Sequence, residues 1–576
     1  MIEIIAHNLA PIMFISLIGF LIIGYPVAFS LAANGLIFFA IGVWLAPISS
    51  GEITLSWSLM GTMPQRLWGV FSSDTLLAIP FFTFMGIILE KSGMAEDLLE
   101  TVGQLFGPIR GGLTFAVILV GALLAATTGV VAASVIAMGL ISLPIMLRYG
   151  YDRRIASGVI TASGTLAQII PPSLVLIVLA DQLGRSVGDM YKGALIPGLI
   201  LVGLYMLYIL GVSLIKPKWV PALPIEVRTL GNGITSLIIA IVAMIAIGYV
   251  SHVQLYETQG SNADILGALV GVSIVYFFTL ADKVLGLNLM SRLAQQVIMV
   301  LIPPLALIFL VLGTIFIGLA TPTEAGAMGA VGALAMAFLK RRLNLSVLTM
   351  ALASTTRLSA FVMFVLIGAR VFSLTFYGVN GHVWVEELLT SVPGGEVGFL
   401  IVINVILFIL GCFLDFFEIA FIIVPLLIAP AESFGIDLIW LGVIIAMNLQ
   451  TSFLTPPFGF ALFYLRSVAA KVPYVDKVTG KRMEPISTPQ IYAGAVWFIG
   501  IQVVMIGLVV LYPGMVMHYK GPVIDPSSIT IEIPAMQTLA PPGGAGPTLG
   551  APNLGGPTLG APNLGGPTLN PPTVNP

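Results

Sequence analysis

One cysteine and four histidines are all that 576 residues supply of the usual soft metal ligands. A single cysteine, Cys412, excludes an intramolecular disulfide and any cysteine-cluster metal site. His7, His252, His382 and His518 are widely spaced and form no HExxH pair, so a catalytic zinc centre is not expected. Charge is equally scarce. Charged residues make up 9% of the chain, against about a quarter in soluble proteins. The formal net charge of −2 gives nucleic acid nothing to bind, and no nucleotide-binding motif appears. The start, Met1 to His7, lacks the basic segment that opens a cleavable signal. What remains is apolar: 58% of the residues. These absences leave an integral membrane protein in a lipid bilayer.

Apolar runs near 9–25, 26–46, 75–90, 155–180 and 194–214 read as spans. Others lie near 234–251, 264–281, 298–318, 324–339, 358–375, 438–465 and 490–512, each near the roughly 20 residues that cross a bilayer core. Stretches 94–106 and 343–357 read as interfacial helices. Two segments fit no simple span. No charge occurs between Arg110 and Arg148, a run long for one span and short for two. It reads as a re-entrant helical hairpin with its tip at Ala126 to Gly129. Between Glu396 and Glu432 only Asp415 and Glu418 interrupt the apolar run. Each half would extend only about 21 Å at about 1.5 Å per residue, so this reads as a second hairpin with its tip near Cys412 to Phe416. Two ordinary tilted spans are the alternative in each case.

Most Lys and Arg then fall on one side, which leaves Arg66, Arg185, Lys192 and Lys520 on the other. The rich side is cytoplasmic by the positive-inside rule. The first hairpin then opens from the cytoplasm and the second from outside, as inverted-topology repeats require. The expected organisation is a first repeat over 1–214 with hairpin 111–147, and an insertion of two extra spans over 215–297. A second repeat follows over 298–513 with hairpin 397–431, and then a flexible tail over 514–576. From Gly546 the tail repeats a Gly/Pro-rich unit every ten residues and lacks the mass to bury a core.

Each half carries a polar cluster just before a Pro-Pro pair: Thr161 to Ser173 around Pro171 and Pro172, and Asn448 to Gly459 around Pro456 and Pro457. Proline removes a donor and clashes with the preceding turn, so both pairs break their helices. Broken backbone survives in a membrane only where it is buried or lines a cavity. Carbonyls and hydroxyls gathered at such breaks suit a hard cation such as Na+. A proline kink that serves helix packing alone is the bland reading, which two matched breaks weaken.

These residues resemble the large membrane subunit of the TRAP (tripartite ATP-independent periplasmic) transporters. The runs that carry the likeness are LLAIPFF at 76–82, the stretch from Ala162 to Ser173, Thr321 to Ala325, Gly411 to Asp415 and Thr451 to Gly459. They span most of residues 1–512, and the 215–297 insertion resembles a longer branch of the family. The resemblance implies an all-α integral membrane fold of inverted repeats with two re-entrant hairpins, of the elevator type. It implies Na+-driven uptake of a small organic acid across the bacterial inner membrane, with Na+ as coupling ion and no organic cofactor. The acid would come from a soluble periplasmic binding protein, and a small four-helix membrane subunit would complete the permease. One departure stands out. The family's first tip is commonly Ser-rich, whereas Thr128, Gly129, Val130 and Val131 stand here.

A first cation site is expected at Thr128, Gly129, Ser163, Gly164 and Thr165, and a second at Gly411, Asp415, Gln450, Thr451 and Thr455. Ser173 and Asn448 are candidates for the substrate, whose carboxylate suits the helix N-termini at the hairpin tips. Close helix packing also enriches small residues and is the alternative for each of them. Asp415 and Glu418, three apart, match an N-cap and its reciprocal partner, as do Thr321 and Glu324. An ionisable Asp415 at membrane depth is functional by default. Arg370 reads as an arginine that snorkels from a span end. Two rival functions stay open. A stand-alone Na+/carboxylate symporter would need no binding protein. An intramembrane hydrolase would need a second catalytic group beside Asp415, and the histidines supply none.

Overall fold

The computed structural model describes residues 2–520, apart from 232, 260–262 and 477. Helices account for nearly all of it. Among the described residues the only strands, Tyr474–Val475 and Arg482–Met483, pair antiparallel. Nine helices are long and apolar enough to cross a bilayer, again among the described residues. Their outward faces carry Leu214, Ile238, Ile245 and Val331, each more than half exposed. Apolar side chains that face outward from long apolar helices suit lipid and not water.

The interior belongs to two interrupted helices. The first runs Arg153–Thr165, tightens to a 3-10 turn at Leu166–Gln168, breaks at Pro171 and Pro172, and resumes as Leu174–Gln182. The second runs Leu438–Ser452, breaks at Pro456 and Pro457, and resumes as Phe460–Val468. Both Pro-Pro bonds are cis. Asp152 and Asp437 start these helices: each carboxylate accepts from a backbone N–H two residues on, at 2.8 Å. Every residue of Leu438–Ser452 is buried, as is every residue from Ile155 to Thr165.

Two helix pairs flank them. Gly112–Thr128 and Val131–Arg148 meet at a turn of Gly129 and Val130, where the expected first tip lies. Gly395–Gly411 leads through Cys412 to Asp415 into Phe416–Ile422 and Val424–Ser433, which bend by 51° at Ile423. The insertion forms helices Ile234–Gln259 and Ala263–Leu285, which pack on each other and on Arg292–Phe316.

Three sequence expectations need correction. Residues 343–357 are no separate interfacial helix: Leu345–Gly378 is continuous over 34 residues, roughly 50 Å at about 1.5 Å per residue. A short helix, Gly381–Thr390, joins Gly395–Gly411 at a bend of 117° and was not expected. The tail does not loosen at 514. Gly514–Met517 is helical with Val516 buried, and Lys520 Nζ meets Asp437 Oδ2 at 2.6 Å. The tail repeat itself lies outside the described residues.

The strand pair anchors one end of the first helix pair. Asp476 accepts from Arg148 Nε at 3.0 Å and Nη2 at 2.8 Å, and from the Thr479 hydroxyl at 2.6 Å. The Arg148 guanidinium, helped by Thr479, holds the Asp476 carboxyl well below the usual carboxylate range. A depressed folded pKa stabilises above the unfolded value near about 4, and the contribution is lost as pH falls through the folded value. Thermal unfolding tests this. Asp476→Asn is expected to melt below wild type between about pH 5 and about pH 8, with the gap closing below about pH 4. An equal gap in acid would contradict the assignment.

Candidate functional site

Glycines let the first helix pair close on the first broken helix. A Cβ at Gly121 would stand 2.5 Å from Ser163 Cβ, so the Gly112–Thr128 arm lies directly on Ser163. Gly164 faces the other arm at Val135. At the tip, Gly129 adopts φ +60°, a left-handed conformation that glycine tolerates best. Its open face lies 3.2 Å from the Pro172 carbonyl, which sets the tip against the break. Thr128 Oγ1 donates to Leu124 O at 2.9 Å and lies 2.9 Å from Ser134 Oγ, tying the two arms together. The first arm thus meets Ser163 at Gly121, the second meets Gly164 at Val135, and Gly129 sits against Pro172 at the break.

The second cluster is built the same way at one point only. Gly411 packs against the Ser452 hydroxyl, a residue that the sequence reading passed over. Asp415 and Glu418 form a reciprocal cap: Asp415 Oδ1 accepts from Phe416 N at 2.8 Å, and Glu418 Oε2 accepts from Asp415 N at 3.0 Å. Thr321 and Glu324 form the same device. Thr451 and Thr455 donate to Met447 O and Thr451 O, both at 2.9 Å. Among the described residues no hydrogen bond joins Asp415 to Thr451 or Thr455.

Gln450 was grouped with that second cluster, yet its amide reaches the first. Gln450 Nε2 donates to Thr165 Oγ1 and to the Tyr205 hydroxyl, both at 3.4 Å, and Gln502 Nε2 donates to the same hydroxyl at 2.7 Å. All four residues are fully buried. Thr165 and Gln450 each stand six residues before the first proline of their pair, so equivalent positions of the two breaks touch. Tyr205 and Gln502 were missed because a lone polar residue in an apolar helix carries no motif.

Ser173 bridges its own break, donating to Gln168 O at 2.9 Å. Asn448 Nδ2 donates to Asn404 O at 2.8 Å and to Asn404 Oδ1 at 2.7 Å. Its Oδ1 is buried without a partner, as are both amide atoms of Gln168 and the Oε1 atoms of Gln450 and Gln502. A buried polar atom left unpaired costs about 1–3 kcal/mol, so this polar centre is built to take further hydrogen bonds. Arg370 stands exposed within Leu345–Gly378 rather than at a helix end.

Comparisons with known proteins show the family. Residues 14–515 match the model of the tripartite ATP-independent periplasmic transporter, DctM component. The C4-dicarboxylate TRAP transporter large permease protein DctM of Pseudomonas aeruginosa is 30% identical over 427 residues, which cover 73% of this chain and 84% of that one. The protein of the same description from Vibrio cholerae is 26% identical, over 80% of this chain and 89% of its own length. The sialic acid TRAP transporter permease protein SiaT of Haemophilus influenzae is 24% identical, over 79% of this chain and 62% of that longer protein. Among solved structures, the Alcanivorax borkumensis YdaH transporter aligns over 84% of this chain and 98% of its own at 13% identity, with a TM-score of 0.47. The family match spans the helix pairs and both breaks, and the chain belongs to the DctM family, the large membrane component of the TRAP transporters.

Proposed function

We propose that the chain carries out Na+-coupled uptake of a small organic acid across the bacterial inner membrane by an elevator movement. A periplasmic binding protein delivers the acid, and a small four-helix subunit extends the static part. The hairpins and broken helices are the moving body that carries ions and cargo. Na+ orders the tips and completes the substrate site. Reciprocal linkage then makes cargo tighten Na+ by the same factor.

One observation supports this reading above others. Thr165 and Gln450, equivalent positions of the two Pro-Pro breaks, meet in the buried centre. Contact between equivalent residues is what a two-fold axis between inverted repeats produces. Thr128, Gly129, Ser163 and Gly164 would supply one cation site, and Gly411, Asp415, Thr451 and Thr455 the other, sets that offer hydroxyl, carboxylate and carbonyl oxygens to a hard cation. Ser173 and Asn448 supply polar groups beside the breaks for cargo. The relatives are named for cargoes as unlike as C4-dicarboxylates and sialic acid, which fits selection by the binding protein.

Uptake into proteoliposomes is the test, with the co-encoded small subunit, with and without the binding protein, and with and without an inward Na+ gradient. Uptake that requires both is expected. Uptake with Na+ but no binding protein would indicate a stand-alone symporter. Uptake indifferent to Na+ would retire both cation sites.

A further inference from the structure

Four buried polar side chains meet where the two halves of the chain cross. Thr165 and Gln450 come from the two broken helices. Tyr205 comes from Val187–Ile215, the helix that follows the first break, and Gln502 from Thr488–Leu511, the helix that follows the second. Each half thus gives one residue from its broken helix and one from the helix after it.

The Tyr205 hydroxyl is the hub. It accepts from Gln502 Nε2 at 2.7 Å and from Gln450 Nε2 at 3.4 Å. The Gln450 amide also donates to Thr165 Oγ1 at 3.4 Å, while the Thr165 proton goes to Ala162 O at 2.9 Å. The short bond fixes Tyr205, and the two long ones leave the Gln450 amide shared between partners. A hydroxyl donates one hydrogen bond and accepts two, so the Tyr205 proton stays available. So do two acceptors, the Oε1 atoms of Gln450 and Gln502, both buried without a partner.

The network therefore has a second arrangement that moves no backbone. When the Gln450 amide turns over, its Oε1 takes the Tyr205 proton and stands beside Thr165 Oγ1. An amide N–H on Thr165 repels a cation there, whereas an amide oxygen beside it attracts one. A side-chain network with two discrete arrangements is a physical carrier of coupling between sites. We propose that Tyr205 is a positioning residue of the transport cycle. Through the Gln450 amide it couples a cation at Thr165, in the first break, to the second break, where Gln450 stands next to Thr451. The inference rests on the Na+ reading above and names what makes its two sites fill together.

The steepness of the Na+ dependence of uptake reads this coupling, in proteoliposomes of the full chain with the small subunit and the binding protein. Two coupled sites give a Hill coefficient of up to about 2, which is expected of the wild type. Tyr205→Phe deletes the hydroxyl and keeps the ring, which packs edge-on to Phe498 at 5.1 Å. The coefficient is then expected to fall to about 1, with more Na+ needed for half-maximal uptake and near wild-type uptake at saturating Na+. Gln502→Leu removes the donor that fixes Tyr205 and is expected to shift the curve the same way. It decides alone if Tyr205→Phe does not fold. A role in packing only would lower the yield or the maximal rate and leave the steepness as it was. A wild-type curve that rises with Na+ without cooperativity, or variants as steep as wild type, would overturn the inference. Wild-type uptake indifferent to Na+ would instead retire the Na+ reading itself, and the coupling with it.

Discussion

Gly121→Val is expected to reduce uptake at least a hundred-fold while the protein still inserts and expresses. The new side chain would occupy the space of Ser163 Cβ, 2.5 Å from where its own Cβ must go. Ser163 cannot step aside, because its helix is buried on every side and its neighbour Gly164 already touches the other arm. Overpacking of this kind costs about 1–3 kcal/mol and sometimes more. Here the strain falls on the contact between arm and break, beside the residues proposed for the first cation site. Gly211→Val is the control. It lies in helix Val187–Ile215 with nothing within 4 Å of its Cβ position, and near wild-type uptake is expected. Parallel transport assays on the two variants, normalised to purified protein, decide the matter. Equal losses would mean that glycine content matters and not the contact.

The second large effect concerns the cap at the other tip. Glu418→Ala leaves the Asp415 N–H without its acceptor and frees the start of Phe416–Ile422. Lost caps cost about 0.5–2 kcal/mol, and uptake is expected to fall roughly ten-fold or more. Glu418→Gln keeps an acceptor at the same place and is expected to retain most activity. Asp415→Asn separates capping from ion binding. Asparagine caps as well as aspartate, so a helix cap alone predicts little change. A rise in the Na+ concentration for half-maximal uptake would assign the Asp415 charge to the cation. If Glu418→Gln is as inactive as Glu418→Ala, the cap is not what the residue provides.

Legibility in the sequence tracked how local each feature is. Both Pro-Pro breaks, both tips and both reciprocal caps rest on residues within a few positions of each other, and the structure places them where those patterns pointed. The Tyr205, Gln450 and Gln502 contacts join residues 245 to 297 apart, and no periodicity announces them. The split at 343–357 failed for another reason. The stretch carries Ser354, Thr355, Thr356 and Arg357, yet backbone hydrogen bonds run through them without regard to side-chain polarity. Ser452 was passed over because its role exists only opposite Gly411.

Burial of the first broken helix from Ile155 to Thr165 has a consequence for how the protein is made. Arg153–Thr165 packs against Thr488–Leu511, with Gly158 and Gly494 in close approach. From Ile155 to Thr165 it presents no face to lipid, and so it cannot settle in the bilayer on its own when it leaves the ribosome. Its partner is synthesised roughly 320 residues later. At about 5–20 residues per second, that is a wait of roughly 16 to 65 seconds. Throughout that interval the hydroxyls and open carbonyls of the break need a temporary companion, in the insertion machinery or among the helices already made. A segment of the candidate site therefore depends, for its biogenesis, on the order of synthesis.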